Sequence, residues 1–106
     1  MKPPIQWTFD LQDAITIRET ILQAIASGRA MVNYRRALRQ ACYDLHELVF
    51  AFQLNGLDEE YETHYLCLFD ALSHFTQALR FPGPNIMLLR MCALQLDRLQ
   101  HIKTAD

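Results

Sequence analysis

The chain has 106 residues, a net charge of -2 and a hydrophobic fraction of 51%, values that favour one folded domain and exclude a disordered tail. Its 10 Lys and Arg residues nearly balance its 12 Asp and Glu residues, which argues against a polybasic nucleic-acid coat or membrane-surface protein. With 3 Gly and 4 Pro, the sequence has few turn signals, so we predict a small number of long elements.

Residues 1–9 are predicted to form an extended arm, because Pro3 and Pro4 disfavour a helix there. The arm lacks the apolar segment and cleavage site of a signal peptide. The longest uncharged stretch, Leu48 to Leu57, is too short to span a bilayer. We therefore expect no membrane span and a cytoplasmic protein. Trp7 is predicted either to seal the end of the domain or to cross to a second subunit.

A single helical domain is predicted over residues 10–106, with its first helix at 10–27. Asp10 is the candidate N-cap, and Gly28 is a natural C′ residue. The apolar residues of this helix recur at helical spacing: Leu11, Ala14, Ile15, Ile21, Leu22 and Ile25. A glycine inside a helix costs about 1 kcal/mol, so a continuous or kinked helix through Gly28 is the alternative. Arg18 falls on the inward face, where we expect either that its stem extends to water or that an acidic residue of another helix pairs with it. The functional alternative is binding of an anionic ligand or of a partner's carboxylate.

The second helix, predicted at 29–54, carries the clearest pattern in the chain. Its apolar residues alternate steps of three and four: Met31, Tyr34, Leu38, Ala41, Leu45, Leu48 and Phe52. The third helix, at 58–81, has the same spacing at Tyr61, Tyr65, Leu68, Leu72, Phe75 and Leu79. The fourth, at 85–103, carries Leu89, Cys92, Leu96 and Leu99, with Asn85 as its cap. The sequence thus predicts an all-α fold, an antiparallel up-down four-helix bundle.

A second stripe lies nearly opposite the apolar stripe of the second helix. Its members combine arginine with aromatic side chains at steps of three and four: Arg36, Arg39, Tyr43, His46 and Phe50. The simpler interpretation is a solvated face with two incidental aromatic residues. The functional interpretation is an interface, because aromatic residues and Arg are enriched in protein interfaces. We predict a homodimer that buries part of this helix and of the fourth, where Met87 and Leu94 face outward.

Four arginines near the start of the second helix support an alternative function. No acidic residue separates Arg29, Arg35, Arg36 and Arg39, so this segment is a possible anion or nucleic-acid contact. Aromatic residues beside it are compatible with base stacking. The remainder of the chain is acidic, which makes this signal the weaker one.

Signatures of catalysis or metal binding are missing from the sequence. Cys42, Cys67 and Cys92 have no CxxC spacing, and the chain has no GxSxG elbow, Gly-rich phosphate loop or Glu-x-x-His pair. We expect no catalytic residue, cofactor or metal, and therefore no enzyme. Convergence of Cys and His residues inside the bundle, as in a small-ligand or metal sensor, is the remaining alternative.

Two histidines follow an acidic residue by four positions, Glu60 before His64 and Asp70 before His74. Residues at this spacing are neighbours on a helix surface, so we expect surface charge pairs. The sequence therefore favours a small non-enzymatic interaction module, such as an adaptor, chaperone, inhibitor or regulatory subunit. Its predicted working surface is the second stripe of the second helix, with Trp7 as a possible addition.

Overall fold

The computed structural model describes residues 7–55, 61–80 and 85–101, and every regular element within them is helical. The four α-helices are α1 (Trp7–Ala26), α2 (Arg35–Asn55), α3 (Glu62–Ala78) and α4 (Ile86–His101), with a 3₁₀ segment at Gly28–Tyr34 between α1 and α2. The predicted all-α four-helix bundle is confirmed.

The helices form a closed square in which α1 and α3 each contact both α2 and α4. Within the described residues, no Cα atom of α2 lies within 8 Å of one in α4, so these two helices are diagonal. Side-chain bonds show that neighbours run antiparallel. Gln53 near the end of α2 bonds Tyr65 near the start of α3, and Cys67 in the first half of α3 bonds the Gln95 carbonyl in the second half of α4.

The core consists of the inward stripes of the four helices. Its buried members repeat at steps of three and four: Ala14, Ile17, Ile21 and Ala24; Leu38, Ala41, Leu45 and Leu48; Leu68, Ala71, Phe75 and Ala78; Leu89, Cys92, Leu96 and Leu99. This spacing is that of the seam along which helices pack side by side at a shallow angle. Each large apolar side chain buried there contributes roughly 1.5–3 kcal/mol through removal from water.

The predicted stripes of the last three helices lie inside this core or pack against it, apart from Phe52, whose side chain lies outside the described part of the structure, whereas the prediction for α1 needs a correction. Ile17 and Ala24 are buried, while Leu22 is exposed. The sequence offers more apolar residues on α1 than one narrow seam can bury, and the neighbouring helices select among them. Arg18 lies 3.5 Å from Asp97 of α4, so its expected acidic partner is confirmed.

The break at Gly28 is confirmed, but the second helix begins later than predicted. Gly28 has φ 58°, a left-handed conformation that favours glycine, and α1 ends two residues before it. Residues 29–34, predicted as α-helix, belong to the tighter 3₁₀ segment. Met31 in that segment is buried, so this first turn still closes over the core.

The predicted N-terminus of α1 is wrong, because the helix begins at Trp7. Residues 7–9, assigned to the extended arm, are therefore helical, and Asp10 lies inside the helix instead of capping it. The two prolines restrict only their own neighbourhood, and no helix breaker follows them. Residues 1–6 and the side chain of Trp7, including its two predicted roles, lie outside the described part of the structure.

Two other helix ends differ from the predicted bounds. The described part of α3 begins at Glu62 and ends at Ala78, where a turn follows and the Asn85 N–H bonds the Ala78 carbonyl at 3.0 Å. Residues 58–60 and 81, the predicted ends, lie outside the described residues. Asn85 is confirmed as the cap of α4, since its side-chain oxygen accepts the Leu88 N–H at 3.1 Å. Residues 102 and 103 lie outside the described residues.

Candidate functional site

The outer stripe of α2 is exposed along its whole length. Arg36, Arg39 and His46 are exposed, and so are Tyr43 and Phe50, which retain 61% and 46% of their accessible surface. On the opposite side of the same helix, the core residues named above are buried. The two aromatic rings therefore take no part in the core of the chain.

The neighbouring helix α3 adds apolar residues to this side of the bundle. Leu66 and Phe69 are exposed, and the Phe69 ring lies 6.0 Å from that of Tyr65. The Tyr65 hydroxyl accepts a 2.9 Å hydrogen bond from Gln53 of α2, so this surface of α3 adjoins α2. We call Tyr43, Phe50, Leu66 and Phe69 the aromatic face.

Leu66 and Phe69 were missed in the sequence analysis. Both fall outside the inward stripe of α3, just as Tyr43 and Phe50 fall outside that of α2. The same search for apolar residues off the stripe would have found them, because they lie three residues apart and share a helix surface.

Charge is divided unevenly along α2. Arg29 of the preceding 3₁₀ segment and Arg35, Arg36 and Arg39 of the first part of α2 are exposed, and none forms an ion pair with a described carboxylate. The helix dipole puts partial positive charge at an N-terminus, so helix stability does not account for arginines there. Asp44 and Glu47 follow near the middle of the helix.

Glu47 is coupled to the exposed tyrosine of the stripe. The Tyr43 hydroxyl donates a hydrogen bond to the Glu47 carboxylate, and this bond, together with the charge of Glu47, raises the pKa of Tyr43. The two side chains are four residues apart and share one helix surface. This contact places a carboxylate beside the ring at the centre of the stripe.

A second exposed apolar surface lies on the opposite side of the bundle. Met87 and Leu94 of α4 are 67% and 61% exposed, and Met91 of α4 and Leu22 of α1 are exposed as well. We call these four residues the methionine face. It borders a groove of about 240 Å³ that Leu22 and Leu94 share with the Arg18–Asp97 pair.

The structure separates α2 and α4, which the sequence pattern predicts to lie in one dimer surface. Because α2 and α4 are diagonal, their outer faces point to opposite sides of the bundle. One two-fold interface cannot cover both faces. The aromatic face and the methionine face are therefore two independent candidate surfaces.

A third surface feature is a groove of about 390 Å³ between α1 and α2. Asp13, Asp44 and Glu47 contribute carboxylates to its walls, and Ile17 and Leu48 form apolar parts of its lining. The groove is thus acidic, and Glu47 lies at the edge that it shares with the outer surface of α2.

The cysteines occupy separate positions in the bundle. Cys92 is buried and Cys42 is half-buried, and burial raises the pKa of both thiols. Their Cα atoms belong to diagonal helices and lie more than 8 Å apart, beyond the span of a disulfide. Cys67 donates a 2.9 Å hydrogen bond to the Gln95 carbonyl of α4, and burial raises its pKa while Arg98 opposes that shift.

The described residues contain no group of three His, Cys, Asp or Glu side chains placed to hold a metal ion. No helix among them is both long and apolar enough to cross a bilayer. The thiolate is the reactive form of cysteine, so the raised pKa values make all three thiols poor nucleophiles at neutral pH.

The expected pair of Asp70 with His74 is wrong, whereas Glu60, the expected partner of His64, lies outside the described residues. His64 itself is fully buried, with its ring 5.7 Å from that of Tyr61, so it is a core residue and not the surface residue that was predicted. The Nδ1 atom of His74 lies 2.9 Å from the backbone oxygen of Asp70. The Asp70 carboxylate instead accepts a 2.8 Å bond from Gln95 of α4. The Asp70 carboxylate therefore binds the side-chain amide of Gln95 and not the imidazole of His74, its predicted partner.

Comparison with protein-family models, with curated proteins and with solved structures gave no match.

Proposed function

We propose that this protein is a small non-enzymatic protein–protein interaction module that self-associates through α2. The observation that carries the proposal is the exposure of Tyr43 and Phe50 on the outer surface of α2, among arginines that form no ion pair with a carboxylate in the described part of the chain. Adaptors, chaperones, inhibitors and regulatory subunits are the functional classes that this description covers.

Residue types support an interface more than they support an ordinary solvated surface. Aromatic residues and Arg are enriched in interfaces, where Lys and Glu are depleted, and α2 contains no Lys. Tyrosine and arginine also dominate interface hot spots, because each supplies a large contact area together with directional hydrogen bonds. A chain of 106 residues buries a smaller fraction of its surface than a large protein does, so association gives its exposed apolar faces a place to be buried.

The chemistry of the described side chains supports a non-enzymatic role. All three thiols have raised pKa values, which disfavours nucleophilic catalysis. We place the protein in the cytoplasm, whose reducing conditions keep such cysteines as thiols.

The proposal is tested by replacing both exposed rings of α2 with serine. Native mass spectrometry of the unmodified protein, isolated without chelator, should show a species of twice the 12.4 kDa chain mass. The Tyr43→Ser/Phe50→Ser variant should keep the helical circular-dichroism spectrum and lose this dimer. A matched control is Met87→Ser/Leu94→Ser on the methionine face, which should remain dimeric. A monomeric unmodified protein, or a serine variant that dimerises normally, would overturn the proposal.

Nucleic-acid binding is the second candidate, and the exposed arginines at the start of α2 favour it. Binding through Arg29, Arg35, Arg36 and Arg39 requires release of counterions from phosphates, so its affinity should fall steeply as salt increases. Association through aromatic rings should depend much less on salt. A fluorescent oligonucleotide titrated at several salt concentrations distinguishes the two, with Arg90→Ala as the control for an exposed arginine elsewhere.

A small-ligand or metal sensor is the third candidate from the sequence. An extra mass in the same native spectrum that disappears on denaturation would favour it.

A further inference from the structure

We infer that the dimer is antiparallel, with two copies of α2 packed across a two-fold axis at Tyr43 so that Arg39 of each copy faces Glu47 of the other. This inference rests on the proposed function and adds the identity of the partner, a second copy of this chain, and its orientation. Its basis is the order of charges along the outer surface of α2.

The exposed side chains on this surface are arranged symmetrically about Tyr43. Arg39 precedes Tyr43 by four residues and Glu47 follows it by four, while Arg36 precedes it by seven and Phe50 follows it by seven. Offsets of four and seven keep a residue close to one side of a helix. All five therefore belong to one outer surface, and each is exposed in the structure.

A two-fold axis through Tyr43 brings residues at equal and opposite offsets together, since an isologous interface pairs i with j and j with i. Arg39 then meets the carboxylate of Glu47 from the other copy. Arg36 meets the ring of Phe50, and a guanidinium over an aromatic face is a favourable contact. The two Tyr43 rings meet at the axis. Every contact is thus between complementary groups.

A parallel arrangement produces the opposite result. It places each residue beside its own copy, so that Arg36 and Arg39 approach identical arginines and Glu47 approaches Glu47. Like charges brought together in an interface are destabilising. Among the described residues, the arginines have no carboxylate partner that would reduce this repulsion. Charge complementarity therefore selects the antiparallel orientation.

The area that a stable dimer must bury requires residues of α3 in addition to those of α2. Stable interfaces bury about 1,200–2,000 Å² in total, more than a contact between two single helices supplies. Leu66 and Phe69 lie on the neighbouring helix, on the side that adjoins α2, and they extend the apolar area of the dimer. We expect Phe69→Ser to weaken the dimer less than Tyr43→Ser does, because Tyr43 occupies the axis.

Charge reversal tests the orientation. Arg39→Glu and Glu47→Arg should each weaken dimerisation by at least about tenfold, because each creates two like-charge contacts across the axis. The double variant Arg39→Glu/Glu47→Arg should recover most of the lost affinity, since it restores opposite charges in exchanged positions. Dimer dissociation constants are measured by sedimentation equilibrium, and circular dichroism verifies the fold. Arg90→Glu, the same reversal at an exposed arginine of α4, is the matched control and should change nothing.

Each other result has a distinct meaning. If the unmodified protein dimerises but ignores both single reversals, or if the double variant shows no recovery, the antiparallel pairing is wrong while self-association stands. Open-ended oligomers would also overturn it, because they indicate head-to-tail contact between the arginines of one copy and the acidic α1–α2 groove of the next. If the unmodified protein is monomeric, the proposed function itself fails.

Discussion

The aromatic face and the methionine face both expose large apolar side chains, yet they differ in the state of their charged neighbours. On the methionine face, Arg18 already lies 3.5 Å from Asp97 within the same chain, and Arg90 is the single arginine of the groove that borders this face without an ion pair to a described carboxylate. On the aromatic face, the arginines have no described carboxylate partner. Exposed apolar residues are ordinary on a protein surface. An apolar patch beside uncompensated charge is the better indication of an interface, because association can improve both.

The two faces also differ in the flexibility of their side chains. Methionine has three rotatable bonds and adapts to many shapes, whereas tyrosine loses little conformational entropy when it is fixed in an interface. The methionine face therefore suits adaptable contacts, and the aromatic face suits one defined geometry. This is the reason for placing the self-association on the aromatic face.

The largest predicted change in unfolding free energy comes from the buried side of α2, and the matched substitution on its exposed side should have little effect. Leu45→Ala should lower the free energy of unfolding by about 2–5 kcal/mol, because it leaves a cavity in the core, where Leu45 is fully buried. Tyr43→Ala, measured in the dissociated monomer by urea unfolding, should change it by no more than about 0.5 kcal/mol. A loss of several kcal/mol at Tyr43 would make the aromatic face part of the fold and remove the contrast.

The pH dependence of the unfolding free energy tests whether the core around Cys92 excludes water. Burial raises the pKa of Cys92 above its ordinary value of 9.0, so the folded state holds the neutral thiol where the unfolded chain ionises. The resulting stabilisation is fully present below pH 9 and is lost as the pH rises towards the folded pKa, at up to about 1.4 kcal/mol per pH unit. The unfolding free energy of Cys92→Ala should decline less steeply than that of the unmodified protein between about pH 8.5 and 10. This range brackets the ordinary thiol pKa of 9.0. Equal slopes would mean that the thiol is solvated.

The helical core could be predicted from the sequence because its signal is local. The alternation of three and four residues identified Leu38 and Leu45 as buried, and the local chemistry of Gly28 and Asn85 located a break and a cap. Choices that depend on neighbouring helices could not be predicted. Examples are the burial of Ile17 in place of Leu22 and the preference of Asp70 for Gln95.

The candidate site divides in the same way. Helical periodicity alone placed the stripe of α2 on the outer surface, whereas its relation to α3 and α4 depends on how the helices are arranged around the square. In that arrangement, Leu66 and Phe69 lie on the helix next to the stripe, whereas Met87 and Leu94 lie on the helix diagonal to it. His64 shows a further limit, since nothing in the local pattern marks a histidine for full burial.

The cap of α4 provides a test of intermediate size at one end of the methionine face. Asn85→Ala should lower the free energy of unfolding by about 1 kcal/mol, because the Leu88 N–H loses the side-chain oxygen that accepts its hydrogen bond. Asn85→Asp keeps an acceptor and is the control, with an unfolding free energy close to that of the unmodified protein. Thermal unfolding measures both, and neither change should alter dimerisation through α2.

The smallest predicted effect belongs to the charge pair of the methionine face. Both partners are partly exposed, and such pairs contribute only about 0.2–1 kcal/mol and weaken as salt screens them. Arg18→Gln should therefore cost less than about 1 kcal/mol at low salt and nothing measurable at high salt, as followed by urea unfolding. Because Arg18 already has a partner within the chain and lies on α1, away from the outer surface of α2, the same variant should leave the dimer dissociation constant unchanged. If Arg18→Gln changes the dimer dissociation constant while Arg39→Glu does not, the dimer forms through the methionine face. The charge on the outer surface of α2 would then play no part in association.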